Sequence, residues 1–439
     1  MRKEKDILGE ISLPDDVLFG INTYRASQNF ELHHKKVNIN LIYVIVKVKK
    51  AAAVTYKNLG IKPDIYSAVI TVCDEILLGK YDEFFITEAL QGGAGTSTNM
   101  NVNEVISNLV LKSLGRPCGD YKTVHPLDDI NRGQSTNDVY PTALRIAAIE
   151  LLRSLSDECA DLQKALQEKE NEFADVRKLG RTELMDAVAI TLGEEFGSYA
   201  QAIARDRWRI YKAEERLRQV NIGGTAVGLS DNSLRKYRFG VIEELRKITE
   251  IGLASAEYPM DITQNNDVFV EVSGLLKALA VNLLKISNDL RLMNSGPYGG
   301  LSEIKLAPMQ QGSTIMPGKI NPVIPEMTMQ CAMKVISNDT AITLASQHGE
   351  FELNAFLPLI ADSLLESLEL LKNAVRIFRT KCVETVQANV ESCQRNLKLS
   401  AAFGVKYTEK LGYDTVSRVI KENNPEEAEE ALNRLMNQE

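Results

Sequence analysis

Long stretches of this chain repeat apolar residues at steps of three and four, the spacing that lines one face of an α-helix. From Pro141 the positions Leu144, Ala148, Leu151, Leu155, Cys159, Leu162 and Leu166 keep that rhythm and predict a long amphipathic helix with one buried stripe. Pro141 suits the first turn of such a helix, where a missing N–H breaks no bond. Comparable segments run from about Glu194 to Val220, Val268 to Met293, Pro325 to Ser346 and Leu357 to Arg379, with glycine-rich breaks at Gly223-Gly224 and Gly296 to Gly300. The pattern predicts a mainly α chain built on a bundle of five long helices.

The flanks read differently. Residues before about 135 mix short apolar segments with turn signals such as Leu13-Pro-Asp-Asp and Leu59-Gly-Ile-Lys-Pro, which predicts a partly helical unit with small hairpins. After Ser392 the segments shorten, and in Asn423-Asn-Pro-Glu-Glu-Ala the proline and the acids after it mark a helix start. The expected domains are 1–138, 139–390 and 391–439.

Composition narrows the functional classes. With 439 residues, 44% of them hydrophobic and 25% charged, the chain can bury a large core. Lysine and arginine number 51 against 59 acids, and no segment is dense enough in positive charge to neutralise a phosphate backbone, so nucleic acid is not an expected partner. The most continuous apolar run, Leu41 to Val46, is far too short to span a bilayer, so no membrane partner is expected. Six cysteines without a CxxC pair, and a charged start that leads into no apolar targeting segment, suggest a reducing, cytoplasmic setting. Only His33, His34, His125 and His348 are available as imidazoles, with no HExxH, so neither a metal nor a cofactor is expected.

Three polar segments stand out from this background. In Gly312-Ser-Thr-Ile-Met-Pro-Gly-Lys-Ile-Asn-Pro-Val, helix breakers surround two hydroxyls, a lysine and an amide. It is not a phosphate-binding P-loop, because five residues separate Gly312 from Gly318 and Ile320 stands where Ser or Thr should bind magnesium. Its chemistry is instead that of a hydroxyl, Ser313, near freed backbone amides and the Lys319 cation; an ordinary surface loop is the plainer alternative. Gln91-Gly-Gly-Ala-Gly-Thr-Ser-Thr-Asn-Met-Asn-Val-Asn-Glu is rich in amides and hydroxyls, and Thr98 spoils a dinucleotide fingerprint. Asn131-Arg-Gly-Gln-Ser-Thr-Asn-Asp places Ser135, Thr136 and Asn137 at the start of the first long helix, which suits a carboxylate or simply a helix cap.

Together these segments resemble those of the aspartase/fumarase superfamily. Gly312 to Pro322 fits the signature GSxxMPxKxNP at every fixed position, and the likeness extends from Gly20-Ile-Asn-Thr-Tyr-Arg through Gly180-Arg-Thr and Gly223-Gly-Thr-Ala to Glu352-Leu-Asn. The resemblance implies a three-domain fold with the long-helix bundle at its centre, a homotetramer, and active sites shared between subunits. It also implies a small dicarboxylate substrate. The Gln91-Gly-Gly-Ala-Gly-Thr-Ser form is most similar to the aspartate ammonia-lyase branch, which implies elimination of ammonia from L-aspartate to give fumarate.

By the same resemblance Ser313 is the base that removes the C3 proton. Thr96, Ser135, Thr136 and Thr314 would hold the β-carboxylate as it becomes a doubly charged aci-carboxylate. Lys319 and Asn321 would hold the α-carboxylate, while Asn137 and Thr182 would orient the amino group. The sequence departs from the pattern at Glu183, where relatives carry histidine, and at Asp129, Gly133 and Tyr298. An anionic Glu183 would attract the substrate's ammonium and repel its α-carboxylate. Losing the histidine counts against a hydratase, since expelling hydroxide requires a proton donor and an ammonium already carries its proton. A fumarase-type hydratase, a lyase of another amino-dicarboxylate, and a non-catalytic homo-oligomer stay open beside the ammonia-lyase.

Overall fold

The computed structural model describes residues 1–229 and 234–437. The chain is mainly α, as the apolar periodicity predicts. The five long helices are Thr136–Glu172, Leu192–Leu217, Asp267–Met293, Val323–Ser346 and Leu357–Phe378. All seven positions of the stripe from Leu144 to Leu166 are buried, none more than 6% exposed. Pro141 is the exception to expectation: it lies inside its helix, not in the first turn. Its ring leaves the carbonyl of Asn137 without an intrahelical donor, and the side-chain Nδ2 of Asn221 supplies one at 3.0 Å.

Two compact units divide the chain. The first comprises Met1–Ser154, Ile210–Lys277 and Val335–Glu369; the second comprises Leu155–Arg209, Ala278–Lys334 and Leu370–Glu439. In the first unit the strands Arg2–Asp6 and Gly9–Leu13 form the expected N-terminal hairpin. Four helices follow, Ile21–Asn29, Ile39–Asn58, Pro63–Ile76 and Thr96–Ser113. Glu104, 1% exposed, ties two of them together. Its carboxylate accepts from the backbone N–H groups of Gly20, Asn22 and Thr23 and from the Thr23 hydroxyl, so an acid from one helix caps the start of another.

In the second unit the strands Arg177–Thr182 and Met185–Thr191 form a hairpin that the periodicity did not announce. Glu303, fully buried, anchors it by pairing with the Lys178 ammonium and by accepting from Arg181, each at 2.8 Å. The chain ends in short helices around Tyr407, Val416 and Leu432. The last of them, Pro425–Met436, begins with proline at its first position and is capped by Asn424, whose Oδ1 accepts from Glu427 N at 3.0 Å. The final two positions of the expected C-terminal domain lie outside the described residues.

Candidate active site

Of the ten expected site residues, Thr96, Ser135, Thr136 and Asn137 fall in the first unit, and Thr182, Glu183, Ser313, Thr314, Lys319 and Asn321 in the second. Each group has its own local geometry.

Three consecutive residues with positive φ, Gly93 (85°), Ala94 (56°) and Gly95 (91°), turn the chain into the Thr96–Ser113 helix. Gly95 has no substitute there, because a Cβ would lie 2.3 Å from the Tyr140 ring. Gln91 Oε1 accepts from both the backbone N–H and the hydroxyl of Thr98, which closes the turn and leaves Thr96 exposed at the first helical position.

The second segment opens the longest helix. Asp138, fully buried, accepts from the backbone N–H groups of Ser135, Gly223 and Thr225, so one carboxylate fastens the helix start to the Gly223-Gly-Thr-Ala loop. Burial pushes the Asp138 carboxyl up to about 7, against the pull of those three amides and of Lys49. Ser135 Oγ accepts from Asn137 N at 3.2 Å. Asn137 Nδ2 donates to the Ala226 carbonyl at 2.8 Å, which commits the donor end of the amide and leaves the acceptor, Oδ1, for a cation.

In the second unit Thr182 ends one strand of the hairpin, and register pairs it with Met185. Glu183 and Leu184 therefore form a two-residue turn with φ of 53° and 65°, and both are exposed. The Lys178 ammonium is raised despite its burial, because the carboxylates of Glu195 and Glu303 outweigh the loss of water. That pairing holds the base of the hairpin.

The loop from Gly312 is closed on itself. Gly312 N donates to the Lys319 carbonyl at 2.9 Å, and Asn321 Nδ2 donates to the Gly312 carbonyl at 2.9 Å. A Cβ on Gly312 would lie 2.4 Å from the Lys319 oxygen, so glycine alone permits this closure. Gly318, at φ 78°, makes the return turn. Inside the ring the half-buried Ser313 presents Oγ to two backbone donors, Met316 N at 2.9 Å and Ile315 N at 3.2 Å. Two N–H groups on one oxygen favour its anionic form. Thr314 and Lys319 are exposed.

Sequence reasoning named the segments and missed the side chains that hold them. Asp138, Glu104, Lys49 and the amides of Asn99 and Asn131 were without assigned roles. The recurrence of Asn99 and Asn103 four apart on one helix face was the available signal. Among the described residues no cluster of three or more His, Cys, Asp or Glu is placed to hold a metal ion, and no helix is long and apolar enough to cross a membrane.

Comparison with known proteins adds to this picture. A family described as lyase matches residues 9–337. Aspartate ammonia-lyase of Helicobacter pylori is 43% identical over 425 residues, covering 96% of this chain and 91% of that protein. Aspartate ammonia-lyase of Bacillus subtilis is 42% identical, covering 96% and 89%. Among solved structures, a fumarate lyase:delta crystallin from Brucella melitensis bound to cobalt superposes with a TM-score of 0.93 at 42% identity, covering 98% of this chain and 95% of that one. A class II fumarase from Schistosoma mansoni gives 0.91 at 30% identity, with the same coverage.

Proposed function

The chain belongs to this lyase family, the aspartase/fumarase superfamily, and from that premise we propose that it eliminates ammonia from L-aspartate to give fumarate, reversibly. The observation that carries the mechanism is the pair of backbone amides on Ser313 Oγ. A serine acts as a base only if its alkoxide is stabilised, and two amide donors with a lysine on the same loop do that.

In this reading Ser313 takes the proton from C3, and the C–H electron pair moves into the β-carboxylate to form an aci-carboxylate. Thr96, Ser135, Thr136 and Thr314 donate to the charge that develops there. Lys319 and Asn321 hold the α-carboxylate. Collapse of the aci-carboxylate forms the C2–C3 double bond and expels the nitrogen with the C–N pair. Thr182 and Asn137 orient the amino group, and the outward Oδ1 of Asn137 is the end of that amide which an ammonium needs.

The reading includes a homotetramer with sites shared between subunits and the three-domain division at 138 and 390. Exposed apolar side chains on the long helices support assembly: Val281 is 51% exposed, Leu344 52% and Met333 54%. It also includes a cytoplasmic location, which the six free cysteines favour.

The test offers L-aspartate and L-malate separately to the purified protein and follows fumarate by its ultraviolet absorbance. Fumarate from aspartate alone is expected; fumarate from malate would make it a hydratase, and from neither, with tetramers intact, a non-catalytic oligomer. Ser313→Ala should nearly abolish turnover while sedimentation shows the same assembly. A variant at wild-type rate would remove Ser313 from the mechanism.

A further inference from the structure

Beneath the Ser135–Asn137 segment lies a buried chain of side-chain amides whose direction can be followed atom by atom. Asn131 Nδ2 donates to the backbone carbonyl of Gln134 at 3.2 Å, so its Oδ1 must face the opposite way. That oxygen accepts from three donors: Lys49 Nζ at 2.8 Å, Asn99 Nδ2 at 3.1 Å and Asn103 Nδ2 at 3.2 Å. Lys49, 1% exposed, also donates to Gln134 Oε1 at 2.9 Å, and Gln134 Nε2 is in turn committed to the Ile130 carbonyl at 3.1 Å. Every amide in the chain is thus fixed in one orientation.

Asn99 pays for this arrangement. Its Oδ1, like that of Asn103, is buried without a hydrogen-bond partner among the described residues. A buried unsatisfied carbonyl costs about 1–3 kcal/mol, so the direction of Asn99 is imposed by Asn131. The consequence reaches Thr136, 8% exposed, whose Oγ1 accepts from Asn99 Nδ2 at 3.2 Å. A hydroxyl that accepts from one neighbour keeps its own proton for another, and Thr136 Oγ1 donates to no group among the described residues.

We propose that Asn99 is a positioning residue: by occupying the acceptor face of the Thr136 hydroxyl, it aims that proton at the substrate's β-carboxylate, with Asn131 fixing the direction of Asn99. The inference rests on Thr136 gripping that carboxylate, as the proposed function has it. It gives the Asn99-Met-Asn-Val-Asn stretch a role beyond packing. A threonine free to rotate would spend part of its time donating to neighbouring backbone, and less when charge builds on the carboxylate.

Asn99→Asp is the direct test, since it keeps the shape and replaces the donor with an acceptor toward which the Thr136 hydroxyl turns. Steady-state kinetics on L-aspartate should show kcat lowered by about 100-fold, the size of one lost donor to a developing oxyanion, with KM changed much less. Thr136→Val should lower kcat comparably, and the double variant should be no slower than Thr136→Val alone, because Asn99 acts only through that hydroxyl. If Asn99→Asp does not fold, Asn99→Ala removes the donor without burying a charge, leaves the Thr136 hydroxyl free to turn, and carries the same expectations. Wild-type kcat in the Asn99 variant, or losses that multiply in the double variant, would overturn the inference while Thr136 keeps its role. Wild-type kcat in Thr136→Val would remove Thr136 from substrate binding, and the inference with it.

Discussion

Asn221 donates its side-chain amide to the backbone carbonyl of Asn137, the acceptor that Pro141 has no N–H to satisfy. The same amide donates to Thr263 Oγ1 at 2.8 Å, and its oxygen accepts from Thr142 Oγ1 at 3.2 Å, all in a buried setting. Asn221→Leu should therefore lower the unfolding free energy by about 1–3 kcal/mol, measured by urea denaturation at fixed protein concentration. Pro141→Ala returns an N–H to the helix and should recover part of that loss in the Asn221→Leu background. Equal effects of Pro141→Ala with and without Asn221 would show that the carbonyl is not what Asn221 serves.

The long helices were legible because each needs only one repeating apolar face, a property local to the sequence. Their observed ends fall within a few residues of the expected ones, and the offset of Pro141 comes from a side chain 80 positions away, which periodicity does not register. The contacts that assemble the candidate site are of that remote kind. Lys49, to which the sequence assigned no role, is fully buried and bonds to Asn131 and Gln134. Glu104 ends a segment that reads as part of a ligand site, yet it caps the helix at Gly20 to Thr23. The Arg177–Thr191 hairpin escaped notice because its strands are short and polar, and because buried Glu303, not an apolar face, holds its base.

The closure of the loop from Gly312 to Asn321 is open to a second test at Gly312. A methyl there would sit 2.4 Å from the Lys319 carbonyl, so Gly312→Ala must open the ring that presents Ser313 to the Ile315 and Met316 amides. Most of the loop is exposed, so little packing is lost. The expected result is a fall in kcat of about 100-fold or more with a thermal midpoint within a degree or two of wild type. Wild-type kcat would mean that the ring does not prepare Ser313.

Glu183 sits at the exposed tip of its hairpin in a left-handed turn, where no described contact fixes its carboxylate. If it draws the substrate's ammonium, removing its charge should matter only for the ligand that carries that ammonium. Glu183→Gln should then raise KM for L-aspartate several-fold, by about 1 kcal/mol of lost attraction, and leave the inhibition constant of succinate nearly unchanged. Parallel changes for both ligands would place Glu183 in the loop's structure and not at the amino group.

Lys49 and Asp138 should leave opposite marks on stability as pH changes. Burial holds the Lys49 ammonium down to about 7, although Asp138 favours its charge, and burial pushes the Asp138 carboxyl up to about 7. In the unfolded chain these groups titrate near 10.4 and 3.9. Between about 4 and 7 the folded state keeps a proton on Asp138 that the unfolded state has released, so this group's contribution falls as pH rises. Between about 7 and 10 the unfolded state keeps a proton on Lys49 that the folded state has released, so its contribution rises with pH. Urea midpoints at fixed protein concentration should reflect both trends: Asp138→Asn should flatten the acid arm, and Lys49→Met the alkaline one. If wild type and Lys49→Met changed in parallel from pH 7 to about 9.5, Lys49 would be titrating as it does in water, and its burial beneath the Ser135–Asn137 segment would be wrong.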